Sequence, residues 1–171
     1  MRKNYLFIII LASLTWNSFV SSSELDVKIS IDIDFIDVKH KGKIVRIQRT
    51  QFSDNTINPI YAKTSRRCPP FCIQPGRIAE GVETIGELEI LDYLARNSNG
   101  DNSILVIDSR TPEWTERGTI PGSTNIPWKL LKQDAGADPF QIADILEDRF
   151  GAVSIEGLWD FSNAKTLVMF C

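Results

Sequence analysis

Cys171, the final residue, follows the apolar run Thr166-Leu167-Val168-Met169-Phe170. That run predicts a buried strand, and a cysteine at the carboxyl end of such a strand is where a nucleophile is presented. A second apolar run, Ser103-Ile104-Leu105-Val106-Ile107, leads into Asp108-Ser109-Arg110. In open α/β sheets ligands collect outside the carboxyl ends of the strands, so a thiol, a carboxylate and a guanidinium are expected to border one crevice. Asp108 is read mainly as a structural acceptor of backbone hydrogen bonds at its turn. For Arg110, support of an anionic substrate stands against a structural ion pair with Glu113 or Glu116.

The remaining reactive side chains are less well placed. Cys68 and Cys72 flank Pro69-Pro70-Phe71, which favours a small-ring disulfide over a redox pair, whose familiar motif has two intervening residues. No histidine or further cysteine is near enough in sequence to complete a four-ligand zinc site, so no metal and no cofactor is expected. His40, the single histidine, sits in the charged stretch Lys39-His40-Lys41-Gly42-Lys43 and is expected to lie far from the crevice. Trp114 is read as a packing residue.

The amino terminus has the form of an export signal. Arg2 and Lys3 precede an apolar stretch from Tyr5 to Leu14, and small residues at 20–23 follow. A spanning helix needs about twenty apolar residues, which this stretch does not reach. The expected location is periplasmic or secreted, with membrane contact through the export signal alone. Cleavage near Ser23 removes two of the 19 basic residues and none of the 22 acidic ones, taking the net charge from −3 to −5. That balance argues against a nucleic-acid partner, since phosphate binding needs clustered basic charge. An oxidising compartment also suits a Cys68–Cys72 bridge and leaves Cys171 as the odd thiol.

A small number of elements must hold these side chains. From Leu25 to Phe35 every odd position is apolar and the even positions are polar, which predicts a half-buried strand. The charged stretch at 39–43 supplies a turn, and Ile44, Val45 and Ile47 begin the second strand of a hairpin. Residues 48–81 carry breakers at Asn58-Pro59, Pro69-Pro70 and Pro75-Gly76 and are read as irregular. Thr84 with Glu87 predicts a capped helix with Ile85, Leu88, Ile90, Leu91 and Leu94 on its apolar side. Strand 103–107, a short helix or turn over 111–118, a short strand at 123–126, a helix over 139–150 and strand 166–170 complete an α/β sheet. The divisions expected are a signal at 1–23, a β-hairpin and irregular arm at 24–81, and an α/β domain at 82–171.

The segment from Val106 to Trp114, followed by Gly118-Thr119-Ile120-Pro121-Gly122-Ser123-Thr124-Asn125-Ile126-Pro127, resembles the amino-terminal signature of rhodanese-like sulfurtransferase domains. That signature has an apolar strand, Asp-x-Arg, an acidic residue beside an aromatic one, then Gly-His-Ile-Pro-Gly-Ala and Asn-Ile-Pro. Here Thr119 stands where the family usually has His, and Ser123 where Ala is common. The resemblance covers roughly residues 82–171. The stretch from Arg67 to Pro75 also resembles one found upstream of the module in exported bacterial proteins.

The resemblance implies a parallel sheet flanked by helices, incomplete at the carboxyl end, with Cys171 as the catalytic cysteine and Arg110 as a substrate-binding residue. It implies sulfur transfer from a small donor such as thiosulfate, through a cysteine persulfide, to a thiophilic acceptor. The thiolate would be supported by a loop of backbone N–H groups following the cysteine, with no histidine required. Because the chain stops at that cysteine, it is expected to be a fragment, poorly folded and inactive over residues 24–171 alone. Two alternatives remain: a non-catalytic sulfur-carrier or protein-binding module that docks a partner through the Leu25–Arg49 hairpin, and a phosphatase on the same scaffold.

Overall fold

The computed structural model describes residues 25, 27–52, 54, 56 and 78–171. The expected export signal at 1–23, and Cys68 and Cys72 with their pairing, lie outside the described residues. The chain is a mixed α/β fold with a parallel three-stranded sheet, flanking helices and an amino-terminal antiparallel hairpin.

The hairpin is formed by β1 (Phe35–His40) and β2 (Lys43–Gln48). This corrects the expected strand at 25–35, because pairing starts where that alternating stretch ends and runs from Phe35↔Gln48 to His40↔Lys43. The turn is the two residues Lys41 and Gly42, with φ of 49° and 78°. Positive φ at both central positions matches the right-handed twist of the strands, so this pair sets the register. Alternation marks a face and does not supply a partner strand. Asp37 and Arg46 face each other across the ladder and form a two-pronged ion pair, both contacts at 2.9 Å.

Helix α1 (Glu87–Ser98) begins two residues later than the Thr84–Glu87 pattern predicts. Gly86 is its cap residue, and the Glu89 carboxylate accepts the Gly86 N–H at 3.0 Å, satisfying a donor that the first turn leaves free. The hairpin lies against this helix. Val38 is fully buried with Leu91 and Leu94, the Lys39 N–H donates to Ser98 Oγ at 2.9 Å, and Arg49 pairs with Glu87 at 2.8 Å.

Strand β3 (Ile104–Asp108) is central in the sheet, between β4 (Thr124–Asn125) and β7 (Thr166–Phe170), both parallel to it. Its side chains alternate between two cores. Ile104 and Val106 join Val168, α1 and the hairpin on one face, while Ile107 packs with Ile126 and Phe150 on the other. Burial on both faces explains the continuous apolar run in the sequence.

Helix α2 (Pro112–Arg117) follows β3, and α3 (Pro139–Asp144) widens into a π turn over Ile145–Arg149. Asp138 caps α3 by accepting the Phe140 N–H at 2.9 Å. A small hairpin of β5 (Val153–Ile155) and β6 (Leu158–Asp160), which the sequence pattern does not predict, precedes β7. Strand β7 departs from the buried strand expected. Val168 is buried, but Leu167 is 38% and Met169 53% exposed, because among the described residues β7 pairs with β3 alone and is covered on one face.

Candidate functional site

Parallel pairing places the ends of β3 and β7 side by side, with Asp108 opposite Phe170. Beyond that pair, the Phe170 carbonyl accepts from Ser109 N–H at 3.0 Å and from Ser109 Oγ at 2.9 Å. These two bonds fix the residue before the thiol to the turn after β3. Cys171 therefore lies on the same rim of the sheet as Asp108-Ser109-Arg110, as the sequence predicts. It is exposed, and its thiol is free.

Asp108 is fully buried and its carboxylate is saturated. One oxygen accepts the Arg110 backbone N–H at 3.1 Å and Arg110 Nε at 2.9 Å. The other accepts Arg110 Nη2 and the Thr119 hydroxyl, each at 2.6 Å. The Arg110 guanidinium is the main reason the carboxyl is held well below the usual carboxylate range, with the Thr119 hydroxyl and the backbone N–H acting in the same direction against the effect of burial. The structural role expected for Asp108 is thus filled, with a side-chain cation added to the backbone donor.

Arg110 has its ion-pair partner in Asp108, not in Glu113 or Glu116, the two carboxylates weighed against a substrate role. The reason is geometric. A two-residue separation across the turn lets Nε and Nη2 meet both carboxylate oxygens in a forked pair. Nη2 also donates to the Gly118 carbonyl at 2.7 Å. Nη1 has no hydrogen bond among the described residues, so two of the five guanidinium N–H groups remain for a ligand. The hydrogen bonds to Asp108 chiefly raise the basicity of Arg110, and the charge at Cys171 adds to the effect.

Two residues have positioning roles that the sequence does not assign to them. Thr119 donates to Asp108 where the family resemblance calls for His, and its hydroxyl lies 3.0 Å from that of Ser123. Asn125 donates from Nδ2 to the carbonyls of Asp108 and Arg110, at 2.9 and 2.8 Å, and so clamps the turn. Both lie in the segment that carries the resemblance, Thr119 as a departure from its signature, but spacing alone does not say which partner each would take.

Arg110, Thr119, Phe170 and Cys171 share a cleft of about 630 Å³ with residues from β2, α1 and the 118–121 loop. His40 is nearer to this region than expected. It ends β1, and its Nδ1 accepts the Gly122 N–H at 3.1 Å, bracing the loop without lining the cleft. Trp114 is 56% exposed, with the Arg117 guanidinium 4.9 Å from its ring centre, so it is not the packing residue expected. The short helix α2 buries none of its side chains, which leaves the ring in solvent.

Among the described residues no cluster of His, Cys, Asp and Glu is arranged to hold a metal ion, and no helix is long and apolar enough to cross a membrane. Comparisons with protein-family models, curated proteins and solved structures find no match to this chain.

Proposed function

We propose that this protein is an exported, rhodanese-like sulfurtransferase that carries sulfane sulfur as a persulfide on Cys171. The observation that supports this reading is the shared cleft, in which a free thiol and an arginine with unspent donors meet at the carboxyl ends of two paired parallel strands.

The Cys171 thiolate attacks the outer sulfur of thiosulfate. A new sulfur–sulfur bond forms, the bond inside the donor breaks, and sulfite leaves with its electron pair. A thiophilic acceptor such as cyanide then attacks the outer sulfur of the persulfide, leaves as thiocyanate, and regenerates the thiolate. Arg110 offers Nη1 to the anionic donor, while Asp108, Thr119 and Asn125 hold the guanidinium and its turn in place.

Thiocyanate formation from thiosulfate and cyanide tests the proposal in the full-length protein. The full-length protein should turn over, residues 24–171 alone should not, and Cys171→Ser should abolish the activity. Sulfur that loads but cannot be passed on would indicate a carrier module. Hydrolysis of an aryl phosphate without sulfur loading would indicate a phosphatase.

A further inference from the structure

We propose that the tip of the amino-terminal hairpin docks on the surface of an anionic lipid bilayer, with Lys39, Lys41 and Lys43 meeting the phosphate headgroups. This adds a membrane contact to the export signal and rests, of the reading above, on export alone. Residues 39–49 carry five Lys and Arg and no acidic side chain, while the rest of the chain holds 14 basic residues against 22 acidic ones. The molecule therefore has one cationic end. An anionic surface attracts that end and repels the remainder, which sets the orientation of approach.

The ion pairs separate the occupied cations of this stretch from the available ones. Arg46 is held by Asp37 at 2.9 Å and Arg49 by Glu87 at 2.8 Å. Lys39, Lys41 and Lys43 are exposed and have no ion-pair partner among the described residues. At the adjoining end of α1, Asp101 is engaged by Arg96 at 2.8 Å. The backbone beneath the lysines is braced, because the Lys39 N–H donates to Ser98 Oγ at 2.9 Å and His40 Nδ1 accepts the Gly122 N–H at 3.1 Å. The charges are thus carried on a fixed turn. Ile44, opposite Lys39 in the ladder and 64% exposed, adds an apolar side chain on the same face. An apolar group among cations suits the boundary between headgroups and acyl chains, a layer that a nucleic acid does not offer. None of these four residues lines the cleft, so the tip presents a surface and not a peptide groove.

Co-sedimentation of the full-length protein with vesicles tests the proposal, with the apolar stretch at 5–14 present in every arm. Binding to equal parts phosphatidylglycerol and phosphatidylcholine should exceed binding to phosphatidylcholine alone and should fall as salt is raised. Each lysine neutralised should weaken it about fivefold, so Lys39→Gln, Lys41→Asn and Lys43→Gln together should weaken it about a hundredfold. Lys41→Asn alone, which suits the φ of 49° at that position, should still cost about fivefold if the triple variant fails to fold. Equal binding of native and variant protein, or binding indifferent to phosphatidylglycerol, would overturn the proposal. Capture of soluble polyglutamate with no gain on anionic vesicles would overturn it in favour of an acidic polypeptide. Sulfur loading of Cys171 should be the same in the native protein and the triple variant, so docking and sulfur transfer can each fail without the other.

Discussion

Asp108 is fully buried and neutralised by a partly buried Arg110, so each group depends on the other. Removing one partner of such a pair leaves a charge without compensation. Asp108→Asn should destabilise the fold by roughly 2–3 kcal/mol near neutral pH, measured by urea unfolding. The pH dependence follows from the direction of the shift. Since the folded-state pKa of Asp108 is depressed, its contribution is complete above the ordinary carboxylate range and is lost as pH falls below it. The gap between the native protein and Asp108→Asn should therefore narrow in acid, and a gap independent of pH would count against the ion pair. At Arg110, lysine keeps the charge and loses the fork. Arg110→Lys should raise the KM for thiosulfate about tenfold, read from initial rates, with a smaller effect on kcat. Thr119→Val removes one donor to Asp108 and should cost about 1 kcal/mol in the same unfolding assay.

At the level of elements, the hairpin and the 118–123 loop hold the cleft together. Gly122 has a φ of 91°, and a Cβ there would lie 3.0 Å from Leu94 Cδ2. Gly122→Ala should destabilise the protein by roughly 1–3 kcal/mol, seen as a lowered Tm. The elements legible in the sequence are those whose burial is written in consecutive residues. Strand β3 has an apolar run because both its faces are covered, and α1 has its apolar side against β1 and β3. Residues 27–34 mislead because they alternate but pair with no strand among the described residues. The β5–β6 hairpin escapes a reading of apolar pattern because its strands are largely exposed, although Glu156-Gly157 supplies a two-residue turn with φ of 52° and 83°. In the site, the convergence of Arg110 and Cys171 is legible from strand ends. The partners of Arg110, Thr119 and His40 are not, because they depend on side-chain reach across loops.

Over the whole molecule, the hairpin shares its core with α1 and the sheet, and Ile47 from its second strand lines the cleft. The shape of the cleft and the packing of the hairpin are consequently linked. Displacing the hairpin would open the cleft on the Ile47 side, and the buried Val38 opposes this by tying the hairpin to Leu91 and Leu94. The most direct measurement is the intact mass of the full-length protein after incubation with thiosulfate, followed by peptide mapping. The mass of one added sulfur atom should appear on Cys171, with sulfite released in equal amount, and cyanide should remove it. An unchanged Cys171, or equal sulfur uptake by Cys171→Ser, would contradict the assignment of this thiol as the sulfur carrier.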